Sequence, residues 1–208
     1  MANKVDEILL KIKAVSLRTN PPFTWASGIS SPIYTDNRII MSYPKEREFI
    51  VNSFVKIIKK NKIKFDGFAA TATAGITWGA WLAQKTKKPM VYVRSEAKSH
   101  GKENKVEGIV EAGKRYIVVE DLISTGGSSI NTINAVREKN GIVEYCIAIF
   151  TYELSKSKEN FENINTKLMT LTNFTSFVKT AVQKKYIAKD QLNHIMDWKK
   201  NPEGWVAV

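Results

Sequence analysis

The chain reads as an α/β protein with a mainly parallel central sheet flanked by helices. Two observations predict this. Between Phe65 and Phe150, short apolar runs of strand length alternate with stretches at helical spacing, the pattern of βαβ units whose sheet is covered on both faces. The 208 residues, 43% hydrophobic and 25% charged, suit one globular domain with a sizeable core. No internal repeat, low-complexity segment or linker divides it.

The elements follow in order. Val5, Ile8, Leu9, Ile12 and Val15 lie at helical spacing, which predicts an opening amphipathic helix stopped by Pro21 and Pro22. Residues 24–37, rich in Ser, Gly and Pro, are expected as loop or short strand. A second helix is expected over 49–60, a strand over 65–71, a helix over 74–85 and a strand over 90–94. Residues 95–107 are polar and without period, which predicts an exposed, mobile loop. A buried strand at 116–119 leads into a helix over 128–139, closed by Asn140-Gly141. Strands at 143–150 and 168–171 and helices near 176–185 and 190–199 complete the reading.

Composition bounds the function. Lys and Arg total 32 against 20 Asp and Glu, a net charge of +12. The lysines are spread over polar helix faces and turns, so most form a solvated surface, while the overall field still draws in an anionic substrate. No stretch approaches a membrane span, and the start lacks the apolar core of a signal peptide. The single Cys146 lies in an apolar run and excludes an intrachain disulfide. Both points fit the cytoplasm.

The chemistry concentrates in residues 118–129, V-V-E-D-L-I-S-T-G-G-S-S. Glu120 and Asp121 are read as ending the strand, and the hydroxyl- and glycine-rich turn as leading into the helix. A helix amino end offers free backbone N–H groups and a favourable dipole to a phosphate. Gly126 and Gly127 let those groups converge on one anion, and Ser124, Thr125 and Ser128 add hydroxyl donors. A loop that only held phosphate would not need two acids beside it. A ligand carrying phosphate and vicinal hydroxyls, a ribose 5-phosphate, uses both: the acids accept from the diol and steady positive charge developing on the sugar. Neither a Walker loop nor a G-x-G-x-x-G dinucleotide loop occurs.

This segment resembles the phosphoribosyl pyrophosphate (PRPP) motif of type I phosphoribosyltransferases. Further motifs narrow the resemblance. Arg94-Ser95-Glu96-Ala97-Lys98-Ser99-His100-Gly101 is similar to the catalytic loop of orotate phosphoribosyltransferases. The stretch from Phe23 to Tyr34, F-T-W-A-S-G-I-S-S-P-I-Y, is similar to the segment that forms their hood over the base. Thr71-Ala72-Thr73-Ala74-Gly75 matches the place where the family's backbone meets pyrophosphate, and residues 171–202 look like the two-helix tail of the shorter bacterial forms.

The resemblance implies a type I phosphoribosyltransferase fold over residues 1–208, with a small hood from about residues 1–40 and the C-terminal segment on a core of about 60–155. It implies transfer of phosphoribosyl from PRPP to orotate, giving orotidine 5-phosphate and pyrophosphate. Lys98, His100 and Asp121 are the implied catalytic residues. PRPP would meet Arg94, Lys98 and His100, then Glu120, Asp121, Leu122, Ile123, Ser124, Thr125, Gly126, Gly127 and Ser128, with Thr73 and Ala74 at the pyrophosphate. Orotate would meet Ser124, Ser27, Gly28 and Tyr34. Mg²⁺ is expected, held mainly by substrate and water with no protein metal cage. A homodimer with shared active sites is expected, with no nucleic-acid or membrane partner. The chain departs from the family pattern at Ala26, Ala74 and Ser95, where many members carry lysine, and no arginine stands around 151–153. The rival readings are a purine or other pyrimidine phosphoribosyltransferase, and a regulator of the same fold that binds nucleic acid.

Overall fold

The computed structural model describes residues 2–25, 27–95 and 105–207. The chain opens with α1 (Ala2–Lys11) and two small antiparallel pairs. β1 (Val15–Leu17) pairs with β4 (Ile33–Thr35), and β2 (Phe23–Thr24) with β3 (Ser30–Ser31). Val15, expected on the opening helix, lies instead in β1, opposite Thr35. A 3₁₀ helix follows (Asn37–Ser42), then α2 (Pro44–Lys60), β5 (Gly67–Thr71), α3 (Gly75–Thr86) and β6 (Met90–Val93). Helix α2 begins five residues before its apolar periodicity, because Pro44 at its first turn is preset for a helix start. Then come β7 (Val106–Glu107), β8 (Arg115–Ile123), α4 (Gly127–Glu138), β9 (Ile142–Thr151), α5 (Ser155–Asn163), β10 (Lys167–Thr170), α6 (Phe174–Gln183) and α7 (Gln191–Trp198).

Six strands form the central sheet in the order β10-β9-β8-β5-β6-β7. All neighbours are parallel except β6 and β7. The carboxyl ends of β5, β6, β8 and β9 therefore share one edge, where ligands of open α/β sheets bind. Side chains of β8 alternate between two cores. Ile117 and Val119 join the larger one with Phe54, Trp78 and Leu82; Tyr116 and Val118 join the smaller one with Ile133, Val136 and Phe161. Helices α2 and α3 thus cover one face and α4 the other.

The two chain ends meet on the α2–α3 side. Trp25, beside β2, packs its ring on Tyr152 and Trp198 at centroid distances of 5.0 and 5.2 Å. Trp198 Nε1 donates to the Ser30 carbonyl at 3.1 Å, and Trp25 Nε1 to that of Ile33 at 3.2 Å. Asp6 on α1 accepts from Ser176 and Thr180 on α6 and from Thr172 just before it. No helix among the described residues is long and apolar enough to cross a membrane.

Candidate active site

Strand β8 does not stop at its acids. It runs on to Ile123, with Glu120 level with Ala148 of β9 and Ile123 level with Thr151. The sequence reading placed the strand end at Val119 because charged residues seldom sit inside a sheet. Ladder hydrogen bonds to β9 carry the strand four residues further. Alternation gives the two acids different packing neighbours, while their side chains stay within hydrogen-bonding reach of each other. Glu120 continues the series of Tyr116 and Val118 toward α4. Asp121 continues that of Ile117 and Val119, toward the N-terminal segment.

Glu120 is 5% exposed. Its Oε2 accepts from Ser128 Oγ at 3.1 Å and Ser129 Oγ at 3.5 Å. Burial, aided by the neighbouring charge of Asp121, pushes its pKa up to about 8. Asp121 is also raised, mainly by burial. The Arg38 guanidinium acts against that shift. Asn37, buried in the 3₁₀ helix, donates from Nδ2 to the Asp121 carbonyl at 2.9 Å. Arg38 is forked onto Asp36, Nε to Oδ1 at 2.7 Å and Nη2 to Oδ2 at 3.1 Å. The triplet Asp36-Asn37-Arg38 thus fastens the N-terminal segment to the end of β8, a link that the sequence reading missed. Its only signal was polar residues just beyond the Ser/Gly/Pro stretch.

The turn after β8 has the expected form. Gly126 takes φ +87°, and a Cβ there would come within 2.7 Å of the Phe161 ring. Gly126 is therefore required twice, by backbone angle and by contact with α5. Gly127 meets nothing within 4 Å, so packing does not demand a glycine there. The amides of the first turn of α4 have no carbonyl within the helix to bond, the arrangement that suits an anion. Ser128 differs from expectation: its hydroxyl turns inward to Glu120. Asn160 of α5 donates to the Thr125 carbonyl at 3.0 Å and holds the turn from outside. Helix α5 escaped the sequence reading because Phe161 is its single buried large apolar residue.

The second turn, after β5, lies beside the first. Gly75 opens α3 so close to β8 that a Cβ would sit 2.5 Å from the Val119 carbonyl oxygen. Thr73 and Ala74 stand at the amino end of α3, and the Ala72–Thr73 peptide is cis. Thr71 Oγ1 is buried at this edge with no partner among the described residues. Arg94, one residue past β6, pairs through Nη1 with Glu107 Oε1 at 3.5 Å. Lys98 and His100 lie outside the described residues.

A cleft of about 580 Å³ opens beside the turn, lined by Trp25, Ser27 and Ile29 from the N-terminal hairpin, Ser124 and Thr125 from the turn, and Leu154. The structure thus unites Ser27 with Ser124. Gly28, at φ +84°, shapes the hairpin by donating to the Trp25 carbonyl. Tyr34 is not among the cleft's lining residues. It is 46% exposed and packs on the Phe23 ring at 5.6 Å, because alternation in β4 sends Ile33 and not Tyr34 into the core.

A strand edge that joins an acid pair to an anion-binding turn defines a phosphoribosyl-transferring class of protein. The family model described as "Phosphoribosyl transferase domain" matches residues 43–185. Orotate phosphoribosyltransferase of Listeria innocua is 50% identical over 97% of this chain and 97% of its own length. That of Coxiella burnetii is 45% identical over 98% of each. The crystal structure of orotate phosphoribosyltransferase from Aeropyrum pernix matches with a TM-score of 0.75 at 25% identity, covering 88% of this chain and 98% of that one. The chain belongs to the orotate phosphoribosyltransferase family. Its type I phosphoribosyltransferase fold is the one that the sequence led us to expect.

Proposed function

We propose that the protein transfers the 5-phosphoribosyl group of PRPP to orotate, releasing orotidine 5-phosphate and pyrophosphate, a step of pyrimidine (UMP) synthesis. The observation that carries this reading is the end of β8, where Asp121 and Glu120 lie directly before the open backbone at Gly127. The orotate ring nitrogen attacks the anomeric carbon as the bond to pyrophosphate breaks, and the leaving oxygen takes the electron pair. Positive charge gathers on the sugar ring in between.

The chain's residues act mainly by position and charge. The backbone from Ser124 to Ser128 holds the 5-phosphate. Asp121, the more accessible acid, accepts from the ribose diol. Glu120 lies beside it, its pKa pushed up to about 8 by burial, so the protonated form of Glu120 is favoured near neutral pH. The Thr73–Ala74 turn meets pyrophosphate. Arg94, Lys98 and His100 close over it, with His100 giving a proton to the leaving group. Ser27, Gly28, Ser124 and Tyr34 are assigned to orotate, Tyr34 by movement from its place on Phe23.

The site offers hard carboxylate oxygens, and no group of three metal-ligating side chains converges among the described residues. This donor set would suit a Mg²⁺ held mainly by PRPP and water, with Asp121 as the nearby carboxylate that could help to hold it. When bound, the ion offsets the charge of the leaving pyrophosphate. We further read the chain as one catalytic domain with a hood from its two ends, working as a homodimer whose loops reach into the partner's site. A cytoplasmic setting is proposed from the one buried thiol, Cys146.

The test is a base panel. Purified protein with PRPP and Mg²⁺ should consume the absorbance of orotate and leave adenine, guanine and uracil untouched. Turnover of a purine alone would overturn the assignment. Mixed Lys98→Ala and Asp121→Ala subunits should regain activity if sites are shared; no recovery despite subunit exchange places each site within one chain.

A further inference from the structure

The cleft beside the phosphate turn has a wall that the sequence reading did not assign. Residues Lys199, Lys200, Asn201, Pro202 and Glu203, just beyond α7, line it together with Lys156 at the start of α5. Its charged lining side chains are three lysines and one glutamate. Its body is apolar, with Trp25, Ile29 and Leu154. A flat ring bearing a carboxylate suits such a space: the ring lies on the apolar wall and the acid turns to a cation.

The three lysines are not equivalent. Lys156 and Lys200 are surface side chains, 66% and 72% exposed, paired with Glu159 and Asp197 on their own segments. Lys199 is 24% exposed. Its Nζ donates to Thr175 Oγ1 at 2.7 Å and to Glu153 Oε2 at 3.3 Å. Glu153 in turn accepts from the Thr175 hydroxyl and from the Thr175 amide at 2.8 Å. Two of the three ammonium hydrogens are thereby fixed, and Glu153 shares its charge among three donors. The third hydrogen belongs to a cation that is already ordered and largely withdrawn from water, where a charge-assisted bond is strong and costs little side-chain entropy.

We propose that Lys199 is a specificity-determining residue that holds the carboxylate of the pyrimidine acid, so that the C-terminal tail, with the hairpin and the phosphate turn, completes the base site. The proposal rests on the orotate reading above. Thr175 and Glu153 are then positioning residues, acting through the ammonium they orient.

Steady-state kinetics on the full-length protein test it. Lys199→Met keeps the apolar stem and removes the charge. Its KM for orotate should rise roughly tenfold or more, with KM for PRPP within about twofold, and Lys199→Arg should recover part of the loss. Lys200→Met, which removes a more exposed lysine of the same wall, should raise the orotate KM far less than Lys199→Met does. An unchanged orotate KM in Lys199→Met overturns the proposal, as does an equal rise in both constants, which a merely structural role would produce. A rise in orotate KM in Lys200→Met of the same size also overturns it. Should Lys199→Met fail to fold, the wild-type protein decides. Orotidine 5-phosphate should slow acylation of Lys199, followed by mass spectrometry, and PRPP alone should not; no selective protection overturns the proposal. Wild-type protein without orotate turnover sinks the parent reading instead.

Discussion

Asp6, on α1, and Glu120, near the end of β8, are two carboxylates withdrawn from water and ringed by hydroxyls. Asp6 is fully buried and accepts from Thr172, Ser176 and Thr180. Burial raises its pKa, and the three hydroxyls act against that rise. Glu120 accepts from two serines and has a second carboxylate, Asp121, as its chain neighbour. The surroundings separate them. The donors to Asp6 come from α6 and the residue at its approach, and they join two helices at the back of the hood. The donors to Glu120 come from the first turn of α4, at the sheet edge where the anion-binding amides converge. A buried acid with a raised pKa is thus no marker of a site by itself. The second acid and the helix amino end beside it make the difference.

That contrast can be broken by mutation. Asp121→Asn should lower kcat by roughly 10²- to 10³-fold, while thermal unfolding stays within about 2 °C of wild type; a large loss of Tm would move Asp121 to the structural side.

Next is Glu120→Gln, read through pH. The folded-state pKa of Glu120 is raised, from 4.5 to about 8. Its favourable contribution is therefore complete below about pH 4.5 and is lost as pH rises through about 8. Wild type should lose stability relative to Glu120→Gln across that window, by on the order of 3 kcal/mol. Denaturant titrations at pH 5 and pH 9 measure it. A constant difference would mean that the carboxyl is ionised throughout.

Asp6→Ala leaves three hydroxyls without their acceptor and should cost about 2–3 kcal/mol, seen as a Tm lower by roughly 4–12 °C. The kcat of the folded fraction should not change. A kcat defect at a temperature well below Tm would show that the hood transmits more than support.

The smallest effect separates two adjacent glycines. Gly126→Ala meets the Phe161 ring and an unfavourable φ, and should cost about 1–2 kcal/mol of stability. Gly127→Ala has open space and should leave stability nearly unchanged while raising KM for PRPP severalfold. The opposite pattern would remove the phosphate from that backbone.

Much of this was legible in the residues. The alternation of apolar runs and helical spacing gave the parallel sheet, since each strand must be buried on both faces. The string from Val118 to Ser129 carried the sugar-phosphate site, since strand, acids, glycines and helix start are all local in the chain. Boundaries were less legible. The strand beyond Val119 depends on pairing with β9, and α5 on one aromatic, Phe161, packed against Gly126. Tyr34 was assigned to the base from its place in a motif, yet strand alternation leaves it exposed against Phe23 and outside the cleft's lining.

Local order alone determined the chemistry on offer: a phosphate turn, a pair of acids, a basic loop, a hood segment. Those depend on neighbours a few positions apart, and a one-dimensional string records such neighbours fully. Only folding decided that Asn37 would hold Asp121 across 84 positions, and that Lys199 would come to the same cleft as Trp25 and Ser124. Contacts of that span arise when the two chain ends pack together over the sheet, and no periodicity along the chain encodes where a side chain so placed will land.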